Sequence, residues 1–331
     1  MKLNGMGRRI WLVVMSVLIG AAYGMLIRFG NQISPESRAF WVMTLGFVLF
    51  LPFAIGFITV YVIERRQPQP VWMWLLLSWV AVTLAILGTV AVLWEGVICA
   101  VMLAPIGWVA GMAGGAVAGA WIQWRRSRGG MRLPMACVMI LPLLVSSVEQ
   151  QILASREVRT VESVIDIQAP VEVVWKQIAR VPRIDCAELP PSWGHTIGFP
   201  NPVEATLSHE GVGGVRQATF EGGVLFVETI DVWEPQRRLG FSIHADAHQI
   251  PQTTLDEHVT VGGQFFDVLH GEYFLEPLPK GGTRLHLFSR HRVSTDFNWY
   301  AHLWTDAVMR DLQGRILVVV RDRSQRAPPH S

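Results

Sequence analysis

Charge is scarce in this chain. Only 16% of its 331 residues are Asp, Glu, Lys or Arg, against 51% hydrophobic. Soluble domains carry about 25% charged residues, so a chain soluble along its whole length is excluded. Cysteine is also scarce. Cys99 and Cys137 lie in apolar runs and Cys186 stands alone in the second half, so that half has no internal disulfide framework. Histidine is missing before His195. The apolar runs lack Asp, Glu, Lys and Arg near their middles, where pumps and ion-coupled carriers place ionisable groups. Glu64, Glu95 and Glu149 fall at run edges, within reach of water.

What charge there is divides near Glu149. Residues 1–155 hold 11 Lys/Arg and 4 Asp/Glu, and the remainder holds 17 and 22, so the net +2 conceals halves of +7 and −5. The acidic second half offers no basic face for phosphates, which excludes a nucleic-acid partner.

Five apolar runs occupy the first half, at 10–27, 39–63, 71–93, 97–122 and 133–148. A membrane-spanning helix needs about 20 such residues, because lipid cannot satisfy exposed backbone groups. The last run is short and contains Pro134 and Pro142. The first follows Arg8 and Arg9 and has a signal-peptide outline, with Ala21-Ala22 at a weak cleavage site, but the spans after it favour an uncleaved helix. The N-terminus and the loops after the second and fourth runs carry nine Lys/Arg, against Arg28 and Arg38 in the alternate loops. The basic loops belong in the cytoplasm. Five spans in an inner or plasma membrane then place residues beyond 153 on the extracytoplasmic side; four leave them in the cytoplasm. Trp72, Trp74, Trp94, Trp121 and Trp124 sit at run ends, as interfacial anchors do. Gly107, Gly111, Gly115 and Gly119 form a small-residue stripe that suits close helix packing, either within the bundle or in a homo-oligomer.

The second half reads as α+β. Alternation predicts a strand at 158–167, with Val161, Ser163, Ile165 and Ile167 on one face. A helix follows at 170–179, with Pro170 in its first turn. Strands are predicted at 204–209, 215–221, 224–233, 238–245, 265–276 and 283–293, separated by Gly- and Pro-rich turns that favour antiparallel pairing. Residues 248–263 read as an exposed loop. A helix over 297–322 closes the domain, with Asp296 as N-cap and Trp304, Val308, Leu312, Ile316 and Val319 as its apolar stripe.

Two stretches carry a resemblance. The run 164–175, with the Ala169-Pro170 step and Val174-Trp175 pair, resembles the opening of the START-related superfamily, also called SRPBCC or polyketide cyclase/dehydrase-like. Gly271-Glu272-Tyr273-Phe274-Leu275 followed by Gly281-Gly282-Thr283-Arg284-Leu285 is similar to its last hairpin. The resemblance covers about 157–323 and implies a helix-grip fold, in which a curved antiparallel sheet wraps a long C-terminal helix around an apolar cavity. Members mostly bind lipids, sterols, polyketides or other apolar molecules. Some are cyclases, hydrolases or chaperone activators, and no catalytic residue is common to all.

The expected organisation is therefore a transmembrane helical bundle at 1–153, an α+β domain at 156–324 and a tail at 325–331. The candidate cavity residues are Phe220, Phe226, Phe241, Phe274, Leu287, His291, Trp299 and Trp304. The expected ligand is a lipid or other apolar small molecule held near a bilayer, with no cofactor. Cyclase- or hydrolase-like chemistry and a non-enzymatic interaction module are the alternatives. No His, Cys or carboxylate cluster has metal-ligand spacing. Ser289, His291 and Asp306 contain the residue types of a hydrolase triad, but no nucleophile-elbow pattern accompanies them.

Overall fold

A computed structural model describes residues 5–32, 43–128, 135–149, 156–246, 261–279 and 281–326. The chain forms two compact units, Met1–Ala154 and Ser155–Ser331.

The first unit contains α1 (Gly5–Gln32), α2 (Leu51–Glu64), α3 (Val71–Ala91), α4 (Val97–Arg128) and α5 (Met135–Glu149). Four stretches are long and apolar enough to cross a membrane: Met6–Gly30, Gly46–Glu64, Val71–Ala91 and Val97–Ser127. Of the expected second run, 39–42 lie outside the described residues, as do 133–134 of the fifth. Helix α5 has 15 residues, about 22 Å at the α-helical rise against roughly 30 Å of hydrocarbon. Helix α2 is entered through a π-helical turn, Gly46–Phe50. Pro52 stands at the start of α2, where its missing N–H breaks the regular ladder and leaves a widened turn before it.

Two of the edge carboxylates, Glu64 and Glu95, are buried and not reached by water as the sequence suggested, while Glu149 is partly exposed. Glu64 is fully buried. It accepts from Trp74 Nε1 at 3.1 Å, Gln69 N at 2.8 Å and Arg126 Nη1 at 3.0 Å. Trp74 is thereby a core residue and not an interfacial anchor. Glu95 pairs with Arg28 Nε at 2.6 Å, both side chains being buried. Glu149, at the C-terminus of α5, accepts from the backbone N–H groups of Leu45 and Gly46 at 3.2 and 3.0 Å. A carboxylate suits this position beside donors at the start of a helical segment. The tie also fixes direction: α5 ends beside the start of α2, whereas the far end of α2, at Glu64, meets α4 near its end, at Arg126.

The glycine stripe is filled from within the unit. A Cβ on Gly111 would stand 2.6 Å from Val82 of α3, and one on Gly119 would enter the Trp74 ring. One on Gly115 would overlap Ser78, while Gly107 has space to 3.6 Å.

In the second unit seven antiparallel strands form one sheet in the order β1-β7-β6-β5-β4-β3-β2. They are β1 (Glu157–Ile167), β2 (Pro202–Leu207), β3 (Val215–Phe220), β4 (Leu225–Glu234), β5 (Arg238–Asp246), β6 (Phe266–Pro277) and β7 (Thr283–Val293). Irregularities at Pro202/Glu204, Ile230/Val232 and Val268/His270 interrupt the register. Such bulges bend strands and increase twist, which curls the sheet. After β1 come α6 (Val171–Ala179) and a single turn, α7 (Trp193–Thr196); α8 (Asn298–Arg326) closes the unit. This is the helix-grip arrangement. Residues 247–260 of the expected loop, and 327–331 of the tail, lie outside the described residues.

One core joins Ile167, Val174, Ile178, Ile230, Leu239, Leu275, Leu285 and Leu317, all nearly inaccessible. Helix α8 starts at Asn298, with the Phe297 carbonyl accepting from the Tyr300 and Ala301 N–H groups. Asp296 therefore lies one residue before the capping position. The most buried line of α8 is Asp306, Met309, Gln313, Leu317 and Val320, offset from the expected stripe. Its first half is partly polar, so hydrophobic periodicity passes over it. Val308, Leu312 and Ile316 line a cavity instead.

Candidate functional site

The cavity has a volume of about 140 Å³ and lies between the inward face of β3–β7, the middle of α8, and the segment running from Val181 to Pro202. Its wall is mostly apolar. Of the candidate residues, Phe220, Phe226, Phe241 and Leu287 line it. Phe220 and Phe226 pack ring to ring, 4.8 Å between centroids. The other four lie elsewhere. Phe274 is on the opposite sheet face, 5.7 Å from the His286 ring. Trp299 is exposed near the start of α8, and Trp304 packs against Tyr300 and Trp193.

His291 is fully buried between β7 and the first half of α8 and is not part of the cavity wall. Its Nε2 lies 3.2 Å from Thr305 Oγ1 and 3.5 Å from Asp306 Oδ1. Burial holds its pKa down, and Asp306 opposes that only in part. Asp306 is itself gripped by Arg159 through two bonds of 3.1 and 2.7 Å. Ser289 does line the cavity, but its Oγ accepts from Gln313 Nε2 at 2.9 Å. Among the described residues nothing joins Ser289 to His291, so the three residue types do not assemble as nucleophile, base and orienter. Gln313 also donates to the Val161 carbonyl at 3.1 Å and accepts from Ser163 Oγ at 2.8 Å. One side chain thus ties α8 to both β1 and β7. No group of three potential metal ligands occurs among the described residues.

The cavity's charged groups are not among the residues that the sequence pattern singles out as cavity-lining. Arg216 on β3 and Glu228 on β4 are direct cross-strand partners. They form a buried ion pair through Arg216 Nη1 and Glu228 Oε2. The Arg216 guanidinium lies 5.4 Å over the Phe241 ring, a favourable cation–π distance. Burial lowers the guanidinium pKa, and Glu228 and Tyr273 together more than restore it. Burial pushes the Glu228 carboxyl up against the pull of Arg216. It also pushes up the Tyr273 phenol beside them. Tyr273 lines the same wall.

Two further charges come from α8. Asp311 accepts from Ser192 Oγ at 2.5 Å, closing α7 onto the helix. Arg315, one turn on, is 6% exposed and has no ion pair or hydrogen bond among the described residues. Burial lowers its pKa, and Asp311 and Glu221 act against that from a distance. At the rim, half-exposed His195 lies 3.7 Å from Glu221 and 3.0 Å from the Phe199 carbonyl.

Arg216 and Glu228 left a trace in the sequence. The hairpin turns at Gly222-Gly223, both with positive φ, a conformation glycine adopts without steric cost. Counting back from Gly222 brings Arg216 opposite Glu228, each on the same parity as Ala218 and Phe226.

No protein-family model and no curated protein matches the chain. Solved structures do resemble its C-terminal half. The Zhui aromatase/cyclase from a Streptomyces species is 18% identical, with a TM-score of 0.33, over 51% of this chain and 96% of its own. Norcoclaurine synthase from Thalictrum flavum is 10% identical, with a TM-score of 0.33, over 52% and 97%. The Aha1 dimer from Colwellia psychrerythraea is 13% identical, with a TM-score of 0.29, over 52% and 99%. Likenesses at this level carry no functional assignment to this chain.

Proposed function

We propose that the second unit binds or transfers a lipid or other apolar small molecule in its cavity, and that the first unit holds it at a membrane. The carrying observation is the cavity of about 140 Å³, walled by Phe220, Phe226, Phe241 and Leu287 between sheet and helix. A cavity of about 150 Å³ accommodates a benzene ring, so this one takes a ring or a short chain, and a longer ligand extends past the rim at His195. The direct test is organic extraction and mass spectrometry of the full chain purified in lipid nanodiscs. One apolar species should co-purify with the wild type and be lost from Ala218→Phe, which fills the wall. Ligand retained equally by both proteins, or found with neither, would overturn the reading.

We place five spans in the first unit and the second unit on the extracytoplasmic side of an inner or plasma membrane. Two observations support this. The arginines at 65, 66, 125 and 126 cluster at the Glu64–Arg126 end. Helix α5 ends at the opposite end, tied to Leu45 and Gly46. A cysteine placed at exposed Val212 in a cysteine-free chain should react with a membrane-impermeant maleimide in intact cells. Labelling only after lysis would put the unit in the cytoplasm. A homo-oligomer through Gly107, Gly111, Gly115 and Gly119 is disfavoured, because α2 and α3 already cover these glycines.

One observation favours a second reading, cyclase- or hydrolase-like chemistry: Arg216, Glu228, Tyr273, Asp311 and Arg315 all reach the cavity. Convergent titratable groups are a mark of active sites. Against it, Glu228 is held by Arg216 and Asp311 by Ser192, so neither carboxylate is free to act as a base.

A further inference from the structure

We infer that the ligand of this cavity is an amphipathic acid, with one oxyanion on an apolar body, and that Arg315 receives the oxyanion with Arg216 as a second donor. The inference rests on the binding reading above and specifies the chemistry of its ligand.

Two arginines approach the same cavity, Arg216 from β3 and Arg315 from α8. Both residues are more than nine-tenths buried, and in both the Nε–H is sealed from solvent without an acceptor. The two are otherwise unlike. Arg216 has its charge met by Glu228 and offers only a spare donor. Arg315 has no carboxylate within ion-pair distance among the described residues. Asp311, the carboxylate one turn before it, is turned to Ser192. A cation buried without a partner is among the most expensive features a fold can carry. It is tolerated where something else supplies the counter-charge, and here the open space beside Arg315 is the cavity.

The donor type narrows the chemistry. A guanidinium presents a planar fork that suits carboxylate and phosphate oxygens. The rest of the wall is aromatic and aliphatic, with Phe226, Phe241, Leu312 and Ile316 facing the same space. An apolar molecule without an acid group would leave both Nε–H donors and the Arg315 charge unmet. A fully polar anion would leave the rings unused. A carboxylate or phosphate on a ring or short chain satisfies both sets of groups, and the cavity volume accommodates about one ring.

The test uses the full chain in phosphatidylcholine nanodiscs and three probes with one apolar body: 4-phenylbutyrate, 4-phenylbutyl phosphate and 4-phenylbutan-1-ol. Calorimetric titration should show at least one acid binding ten times or more tighter than the alcohol, and the better acid identifies a carboxylate or a phosphate as the natural group. Arg315→Met should abolish the preference, bringing acid and alcohol within about twofold, while alcohol binding and the melting temperature hold or rise. Arg315→Lys should restore part of the preference, since it keeps the charge but loses the fork. Glu228→Gln, which unmasks Arg216, should tighten the acid further. If all three probes bind alike, or the preference survives Arg315→Met, this inference is wrong and the cavity reading stands. If none of the three binds, the cavity reading itself fails.

Discussion

Replacing Glu228 with leucine should destabilise the second unit by about 3–5 kcal/mol, whereas Arg216→Met combined with Glu228→Leu should recover most of the loss. The single change strands a guanidinium among Phe241, Phe226 and Tyr273, with no carboxylate to meet it. Removing one member of a buried pair costs that much because the survivor keeps its desolvation penalty, while replacing both with apolar residues of similar volume is often neutral or stabilising. Each kcal/mol moves the melting temperature of a unit this size by about 2–4 °C, so the single variant should melt roughly 10 °C lower. Differential scanning calorimetry of the full chain, with ligand binding tracked in parallel, would show it. A double variant no more stable than Glu228→Leu would mean that the pair is held by packing and not by charge compensation. The double variant should keep the part of the acid preference that Arg315 supplies and lose only the share of the second donor, Arg216.

The second large effect is expected in the first unit. Gly56→Ala and Gly114→Ala should each reduce the yield of monodisperse protein severely. A Cβ at Gly56 would overlap the carbonyl oxygen of Gly111, and one at Gly114 would overlap that of Phe53. Both obstacles are backbone, so α2 and α4 would have to separate for a single methyl group. Overpacking costs typically 1–3 kcal/mol and occasionally more. Backbone against backbone, at two adjoining places on one helix pair, belongs at the upper end of that range. Gly107→Ala is the internal control. Its added methyl would stand 3.6 Å from Pro52 and Val82, ordinary van der Waals contact, and it should express and melt like the wild type. Size-exclusion profiles of the three variants in detergent make the comparison. Equal behaviour of all three would mean that α2 and α4 do not approach at these glycines.

The contrast between the stripe as read and as built shows what sequence supplies. Four glycines at a spacing of four announce a close helix approach, and they do make one. The spacing does not reveal the tighter contacts at Gly56 and Gly114, because these depend on how α2 and α4 meet. The strands were legible to within two residues, since alternation and glycine turns act locally. The cavity was half legible. Phe220, Phe226, Phe241 and Leu287 follow from inward parity, while Phe274 does not share the parity of Gly271, Tyr273 and Leu275. Arg315 was hidden for a different reason. On a helix with Arg310, Arg321 and Arg323 close by, it resembles one more solvated base, and only its position opposite the sheet shows it to be buried. Glu64 and Glu95 were misread likewise, because a carboxylate at the end of an apolar run reads as wetted until Arg126 and Arg28 are seen to reach it.

Gln313 has a mechanical consequence. Its bonds to Ser289, Ser163 and the Val161 carbonyl fasten α8 to β1 and β7, the side of the sheet where the helix lies flush. The opposite wall, from β2 to β4, is held to α8 mainly through Ser192 on Asp311 and Glu188 on Arg323. Both of these latches belong to the segment before β2 and not to the sheet itself. These attachments predict one fixed and one yielding half. A ligand bulkier than the resting cavity should therefore displace the β2–β4 side and leave the spine at Gln313 where it is.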